Sequence, residues 1–441
     1  MKILVIGSGG REHALGLKLS QAPEKPALTF APGNPGMAAL GACVPIAADD
    51  IDGLLALARA ERFDLTVVGP EVPLVKGVVD AFQAAGLAVF GPTSAAARLE
   101  GSKAFSKDFM ARYAIPTAAF RTFTDHAAAR DYLTATGAPV VVKASGLAAG
   151  KGAVVCLTLD EARAALDSML GPDAVFGDAG REVVIEEFMD GEEASVFAVC
   201  DGTDFVLLPT AQDHKRVRDH DEGPNTGGMG AYSPAPVMTP ALIEETARTI
   251  IAPTLAGMRA EGCPYQGVLF VGLMLTKVKT DGGDRTIPRV VEFNCRLGDP
   301  ETQVVLPLFD GNFVDLLVKA AQGNLKEHAG GKAAERATTA PASTRSAAVI
   351  VLASGGYPGD YKTGLPITGV ADAAAVPGAG VLHAGTKLQE DLLVTSGGRV
   401  LGVTGEGATL QAALDVAYTA VDKIAFDGMH YRRDIGRKGL T

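Results

Sequence analysis

Residues 139–157 read PVVVKASGLAAGKGAVVCL, and the parsing of this stretch decides the kind of fold. Two β-branched, apolar runs flank a glycine-rich loop. A P-loop would need glycine at 145 and serine or threonine at 152, followed by a helix. The chain has Ser145 and Gly152, and Ala153 to Leu157 continues as another strand rather than a helix. The stretch therefore predicts a β-hairpin, with Lys143 at the end of its first strand. Its tip, from Gly146 to Gly152, is a flap able to close over a triphosphate that Lys143 reaches from beneath.

Downstream, VVIEEFMDGEEAS at 183–195 is an apolar strand, a short linker and an acidic restart. It reads either as an ordinary strand connection or as backbone offered to a purine edge from Glu186 to Met189, with Glu193 on ribose hydroxyls. Residues 212–230, QDHKRVRDHDEGPNTGGMG, are dense in charge and then in glycine, with no helical or strand period. Long irregular stretches inside a domain are usually functional or disordered. A mobile anion-binding loop using Lys215, Arg216 and Arg218 is expected, with a solvated loop as the plain alternative. Its Asp/His pairs match none of the zinc spacings.

RVVEFNCRLGDPETQ, residues 289–303, brings an apolar strand that delivers Glu292 and Asn294 to one face, because alternate side chains on a strand share a side. Two oxygen donors so spaced suit a hard cation such as Mg2+. The strand then breaks into a loop carrying Arg296, Asp299 and Glu301. A metal site that runs straight into a charged loop reads as a reaction centre; the bland alternative is a strand end with a solvated turn.

Upstream, Ile3 to Ile6 is a strand, Gly7 to Gly10 a glycine turn, and Arg11 to Ser20 a helix. This order aims backbone N–H groups at an anion. The dinucleotide fingerprint needs glycine or alanine where Glu12 stands, and no acid follows at ribose distance, so an NAD-dependent oxidoreductase is disfavoured. A phosphate site is expected instead, with Arg11 and His13 adding positive charge. Further strands end at 31–36, 68–71 and 90–92, with helices over 51–59 and 74–85 between them. The alternation predicts a small parallel sheet whose ligand crevice lies at the strand ends, bringing Gly9, Asn34, Pro70 and Glu71 together. At 101–107, GSKAFSK starts a helix with Lys103 and Lys107 on one face. Alone, such a pair is most often a solvated surface.

With 441 residues, 47% hydrophobic and 21% charged, the chain suits a protein of several domains with a large core. A net charge of −11 argues against a nucleic-acid binder while allowing a local basic pocket. Five cysteines without CxxC spacing read as buried, reduced thiols. No apolar stretch reaches membrane-spanning length, and the N-terminus lacks a signal pattern, so a cytoplasmic protein is expected. The polar, Ala/Thr-rich stretch 326–345 reads as a linker. Residues 346–441 regain strands (347–353, 400–404) and a helix (410–421), a small α+β unit packed against the nucleotide-binding unit. Its 355–359 glycine turn reads as structural. Non-catalytic nucleotide binding is the other alternative.

Taken in order, the blocks VIGSGGREHAL, APGNPG, VGPEVPLVKG, LEGSKAFSKDF, KASGLAAGKG, EEFMDGEEAS, GPNTGGMGAYSP, EFNCRLGDPET, ASGGYPGDY and HAGTK span the chain. They resemble the ATP-grasp ligases and, within them, the glycinamide ribonucleotide synthetase (phosphoribosylamine–glycine ligase) family of purine biosynthesis. The resemblance implies a multidomain α/β and α+β fold. It comprises an N-terminal parallel-sheet domain (1–101), an ATP-grasp domain (102–325, flap lobe about 119–192), a linker (326–345) and a C-terminal α+β domain (346–441). It implies ATP-dependent ligation of glycine to 5-phosphoribosylamine through glycyl phosphate, with ATP and Mg2+ (or Mn2+); a monomer is the default expectation. It further implies that Glu292 and Asn294 hold the metal, and that Lys103, Lys143, Gly150 and Lys151 meet the phosphates. Glu186, Phe188 and Met189 would line the adenine and Glu193 the ribose. Gly9, Gly10, Arg11, Asn34, Pro70, Glu71, Asn225 and Gly228 would form the substrate crevice, with Asp213, Lys215, Arg296 and Asp299 around the reacting groups. Many ATP-grasp enzymes carry another metal-binding acid on the preceding strand; around Phe270 this chain has none.

Overall fold

The apolar run at the N-terminus forms β1 (Lys2–Gly7), the middle of a five-stranded sheet with β2 (Ala27–Pro32), β3 (Gly41–Cys43), β4 (Leu65–Val68) and β5 (Val89–Phe90), in the order β3-β2-β1-β4-β5 and parallel throughout. Alternate residues of β1 face opposite layers. Ile3 and Val5 pack with Leu15 and Leu19 of helix α1 (Gly10–Ser20), while Leu4 and Ile6 pack with Leu54 and Ala58 of α2 (Ile51–Glu61). This is the doubly covered parallel sheet the alternation implied. The helix expected over 74–85 is two helices, α3 (Glu71–Val75) and α4 (Val78–Ala84), because Gly77 between them takes φ +91, open to glycine at little cost. The computed structural model describes residues 1–148, 152–171, 174–280, 283–328, 338–339 and 344–440.

Helices α5 (Ser94–Gly101) and α6 (Lys103–Arg112) lead to a four-stranded antiparallel sheet. Ser102 caps α6 by accepting from Phe105 N at 3.2 Å. The sheet holds β6 (Phe120–Phe123), β7 (Val140–Ala144), β8 (Ala153–Cys156) and β9 (Val183–Glu187), in the order β6-β9-β7-β8. Strands β7 and β8 pair antiparallel with Lys143 opposite Ala153, which is the hairpin read from 139–157. Gly150 and Lys151, at its tip, lie outside the described residues.

Strands β10 (Glu192–Asp201) and β11 (Phe205–Leu207) begin a third sheet. Residues 212–230, expected to be irregular, instead contain β12 (Gln212–Asp213), a hairpin of β13 (Arg216–Arg218) and β14 (Glu222–Asn225), and the start of β15 (Gly230–Ser233). Charge masked the strand pattern, because the buried face here is met by other polar groups: the Arg216 guanidinium donates to Gly223 O at 2.7 Å. Strands β16 (Gln266–Thr280) and β17 (Gly283–Asn294) complete the third sheet, β17-β16-β10-β11, with β18 (Thr338–Thr339) beside β11. A bulge at Val291 shifts the register between Gly272↔Glu292 and Leu273↔Val290.

The last unit contributes β19 (Ser346–Ala353), β20 (Ala379–His383), a hairpin of β21 (Thr386–Gln389) and β22 (Leu392–Thr395), and β23 (Arg399–Gly407), covered by the helix Leu410–Val421. Its sheet runs β12-β15-β19-β23-β20, so two of its strands come from the middle of the chain. The cysteines depart from expectation in part: Cys156, Cys200 and Cys295 are buried, whereas Cys43 is exposed and Cys263 half-buried. Cys43 lies on the edge strand β3, where one flank has no partner strand.

Candidate active site

The bulge at Val291 sets the geometry of the site. Bulges re-aim the groups beside them, and here the Val291 carbonyl accepts from Lys143 Nζ at 3.1 Å. Past the bulge, Glu292 lies opposite Gly272 and Asn294 opposite Phe270, with Phe293 between them turned into the core. Neither the Glu292 nor the Asn294 side chain makes a hydrogen bond among the described residues. Burial pushes the Glu292 carboxyl up, but Lys215, Lys143 and Lys103 outweigh it and hold the group below the usual carboxylate range. An ionised carboxylate and an amide oxygen, both uncommitted, are therefore presented among three lysines.

Each lysine is fixed separately. Lys103 donates to Gly146 O at 3.2 Å, and burial lowers its pKa. Lys143 sits 2.9 Å from Glu186, whose other oxygen lies 2.9 Å from Lys107. All three of these groups are buried. Lys107 also reaches Thr117 at 2.7 Å, and burial brings its pKa down to about 8. Lys107 is thus no solvated partner of Lys103, and the only signal for it in the sequence was its spacing. Glu186 acts on Lys143 rather than facing outward. Beside it Phe188 is exposed and Met189 buried.

On the facing side, Lys215 meets Glu193 at 2.5 Å. The expectation of a free, mobile cationic loop is corrected here, since the hairpin β13–β14 orders the segment and Glu193 neutralises Lys215. Asp213, on β12, is pushed up to about 6 by burial, and the Glu193 and Glu292 charges add to this against Lys215. Glu301, which receives the Ser195 hydroxyl at 3.4 Å, is pushed up to about 7 by burial and by Asp213. The folded protein therefore holds the Asp213 proton more tightly than an ordinary carboxyl at 3.8 does. The stability this gives is present in full below about 3.8 and is lost as pH rises through about 6. Asp213→Asn is expected to raise unfolding stability at about pH 7.5 by roughly 1–3 kcal/mol, and to lose that advantage near pH 4. Denaturant melts at the two pH values measure it; equal midpoints at the higher pH would show the carboxylate to be unstrained.

The third wall is the strand-end crevice of the parallel sheet. Gly9 N donates to Glu12 at 2.7 Å, and a Cβ on Gly7 or Gly69 would run into the Glu12 side chain. Glu12 thus fills the place a dinucleotide fingerprint leaves open. Arg11 is turned inward onto Glu12 (2.5 Å) and Leu297 O (3.2 Å). His13 accepts from His383 N at 2.8 Å, and burial lowers its pKa to about 4. The positive charge expected of this pair at a phosphate is therefore corrected: one is paired and the other neutral. Asn34 donates its amide N–H groups to Ser8 O and His383 O, and its Oδ1 accepts from Gly36 N and Met37 N, so its side chain holds the loop. Pro70 precedes α3, and Glu71 faces Arg296 at 3.4 Å. Arg296 also meets Glu100 at 3.0 Å, a partner the sequence did not suggest. Asp299 is held by Arg399 (3.0 Å) and Gln303 (2.8 Å), and Arg399 in particular keeps its carboxyl below the usual range against the effect of burial. Gly228 takes φ +111 against Pro300, and Asn225 pairs with Arg216 in the hairpin.

Glu292, Asn294, Lys103, Lys143, Asp213 and Lys215 thus form one cluster, and Gly9, Gly10, Glu71, Arg296 and Asp299 form a second beside it at the end of β17. The first suits a polyphosphate with a hard cation; the second suits a smaller polar substrate.

Comparison with known proteins accounts for nearly the whole chain. Residues 1–100, 101–302 and 347–438 match the N, ATP-grasp (A) and C domains of phosphoribosylglycinamide synthetase. The phosphoribosylamine–glycine ligase of Escherichia coli K12 is 51% identical over 443 residues, covering 100% of this chain and 99% of the relative. That of Allochromatium vinosum is also 51% identical with the same coverage. The crystal structure of the Thermotoga maritima phosphoribosylamine–glycine ligase superposes with a TM-score of 0.82 at 34% identity, covering 99% of this chain and 100% of that one. A Campylobacter jejuni biotin carboxylase shares the fold at 14% identity, with a TM-score of 0.71 over 98% of this chain and 92% of the other. The chain belongs to the phosphoribosylglycinamide synthetase family of ATP-grasp ligases.

Proposed function

We propose that ligation runs in two steps across the seam at the end of β17. The chain is an ADP-forming ligase that makes glycinamide ribonucleotide from glycine and 5-phosphoribosylamine in purine biosynthesis. In the first step, an oxygen of the glycine carboxylate attacks the γ-phosphorus of ATP, giving glycyl phosphate and ADP. In the second, the phosphoribosylamine nitrogen attacks the acyl carbon, phosphate leaves, and the nitrogen gives up a proton. A carboxylate is a poor acylating agent, so the protein's task is to neutralise phosphate charge and align reactants.

Lys103 and Lys143, with Gly150 and Lys151 of the flap, take the phosphates. Glu186 holds Lys143 in place, Phe188 and Met189 flank the adenine, and Glu193 reaches the ribose once Lys215 turns to substrate. ATP-grasp ligases use ATP with a divalent metal. Glu292 and Asn294 fit such an ion, Mg2+ or Mn2+, because both offer uncommitted oxygens of the kind hard cations prefer. Bound there, such an ion would neutralise phosphate charge. Asp213, Lys215, Arg296 and Asp299 surround the reacting groups. Gly9, Gly10, Arg11, Asn34, Pro70, Glu71, Asn225 and Gly228 shape the phosphoribosylamine crevice. We place the unit boundaries at 101/102 and 325/346, in a cytoplasmic monomer; no described helix is long and apolar enough to cross a membrane.

The observation that carries this reading is the uncommitted Glu292–Asn294 pair ringed by three lysines at the edge of the second cluster. ATP, Mg2+ and glycine with hydroxylamine should give glycine hydroxamate and ADP. Adding phosphoribosylamine in place of hydroxylamine should give glycinamide ribonucleotide. Glycine-independent ADP release, or none from folded protein, would overturn it.

A further inference from the structure

Arg399 opens β23, and its guanidinium reaches out of the C-terminal unit into the seam. Nη1 donates to Gly227 O at 2.6 Å and to Asp299 O at 2.7 Å, and it lies 3.5 Å from Gly228 O; Nη2 meets the Asp299 carboxylate at 3.0 Å. The other Asp299 oxygen takes Gln303 at 2.8 Å. A Cβ on Gly227 would stand 3.1 Å from the guanidinium carbon, so the plane lies against that glycine. The same turn is held from its amide side, where Gly227 N donates to the Tyr357 hydroxyl at 3.0 Å. Tyr357 belongs to the 355–359 glycine turn that reads from the sequence as structural. Asp299 in turn faces the first glycine turn, its Oδ2 lying 3.7 Å from where a Cβ on Gly9 would sit.

We propose that Arg399, assisted by Tyr357, is a positioning residue for the amine acceptor. It locks the Gly227–Gly228 turn and Asp299 to each other beside the glycine turn of the N-terminal unit, and so aligns the phosphoribosylamine half of the site without touching the ATP half. A planar guanidinium serves all these acceptors from one side chain, whereas an ammonium, supplying its protons from a single point, would keep only some of them. Every contact of Arg399 above falls on the Asp299 and Gly227–Gly228 side. The lysines around Glu292 are fixed by other partners: Gly146, Glu186 and Glu193.

The inference rests on the two-step reading, and the half-reactions separate the two. If wild-type protein forms neither hydroxamate nor ADP, the proposed function fails, whatever Arg399 does. With wild-type active, Arg399→Ala should lower kcat/KM for phosphoribosylamine roughly 10- to 100-fold, the loss expected for hydrogen bonds to charged groups. Hydroxamate formation from ATP and glycine should stay within about twofold, and nucleotide affinity likewise. Arg399→Lys should recover part of the loss, and Tyr357→Phe should show a smaller loss of the same selectivity. Equal losses in both half-reactions, an unchanged phosphoribosylamine kcat/KM, or no recovery with lysine would overturn the proposal. Should the alanine variant fail to fold, the lysine and phenylalanine variants decide it by the same split.

Discussion

Glu292→Ala is expected to abolish ligation, with turnover falling by at least ~10³-fold, the scale seen when a preorganised electrostatic element is lost from an active site. The reasoning starts from what the carboxylate lacks. It is half-buried and accepts no hydrogen bond among the described residues, yet stays ionised because Lys215, Lys143 and Lys103 surround it. In the alanine variant those ammoniums still attract the phosphates of ATP, so nucleotide affinity should survive. The metal should then have only Asn294 to hold it on the protein side. Titrating nucleotide by fluorescence and measuring ADP release at saturating Mg2+ separates the two effects. Wild-type turnover at saturating Mg2+ would sink the metal assignment, and loss of nucleotide binding in parallel would point to a collapsed pocket.

Glu186→Ala should have the largest effect on stability. Its carboxylate lies between Lys143 and Lys107, each at 2.9 Å, and all three side chains are buried. Removing the shared anion leaves two ammoniums without their counter-ion, and breaking a buried pair this way costs about 3–5 kcal/mol. Lys107 shows the strain already, since burial brings it to about 8 even with Glu186 in place. Urea unfolding at neutral pH measures the cost. A loss under about 1 kcal/mol would be the value of a solvated pair and would contradict the burial.

The hairpin of 139–157, the parallel sheet and the placement of Glu292 and Asn294 along one strand were legible because each rests on local periodicity. What was not legible depends on partners distant in sequence. Lys107 looked like surface until β9 brought Glu186 against it. The 212–230 segment lacked a strand pattern because its polar side chains are satisfied by groups far along the chain, as when Arg432 reaches Asp221 at 2.8 Å. Arg11 and His13 sit correctly at the helix start, but Glu12 and His383 decide what charge they show. Arg399 carries no signal at all, being one arginine at the beginning of an ordinary strand.

The sheet that joins β12 and β15 to β19, β23 and β20 has a consequence for how the enzyme comes into being. The parallel sheet of residues 2–90 pairs only with itself and can form as soon as it leaves the ribosome, as N-terminal domains generally do. The sheet of the last unit cannot form in that way, because β15 finds β19 only after Ser346 has been made. At about 5–20 residues per second, β12 and β15 wait several seconds of synthesis for their partner strands. A nascent chain that ends between Asp299 and Ser346 lacks Arg399, and with it the group that holds Asp299 in the finished protein.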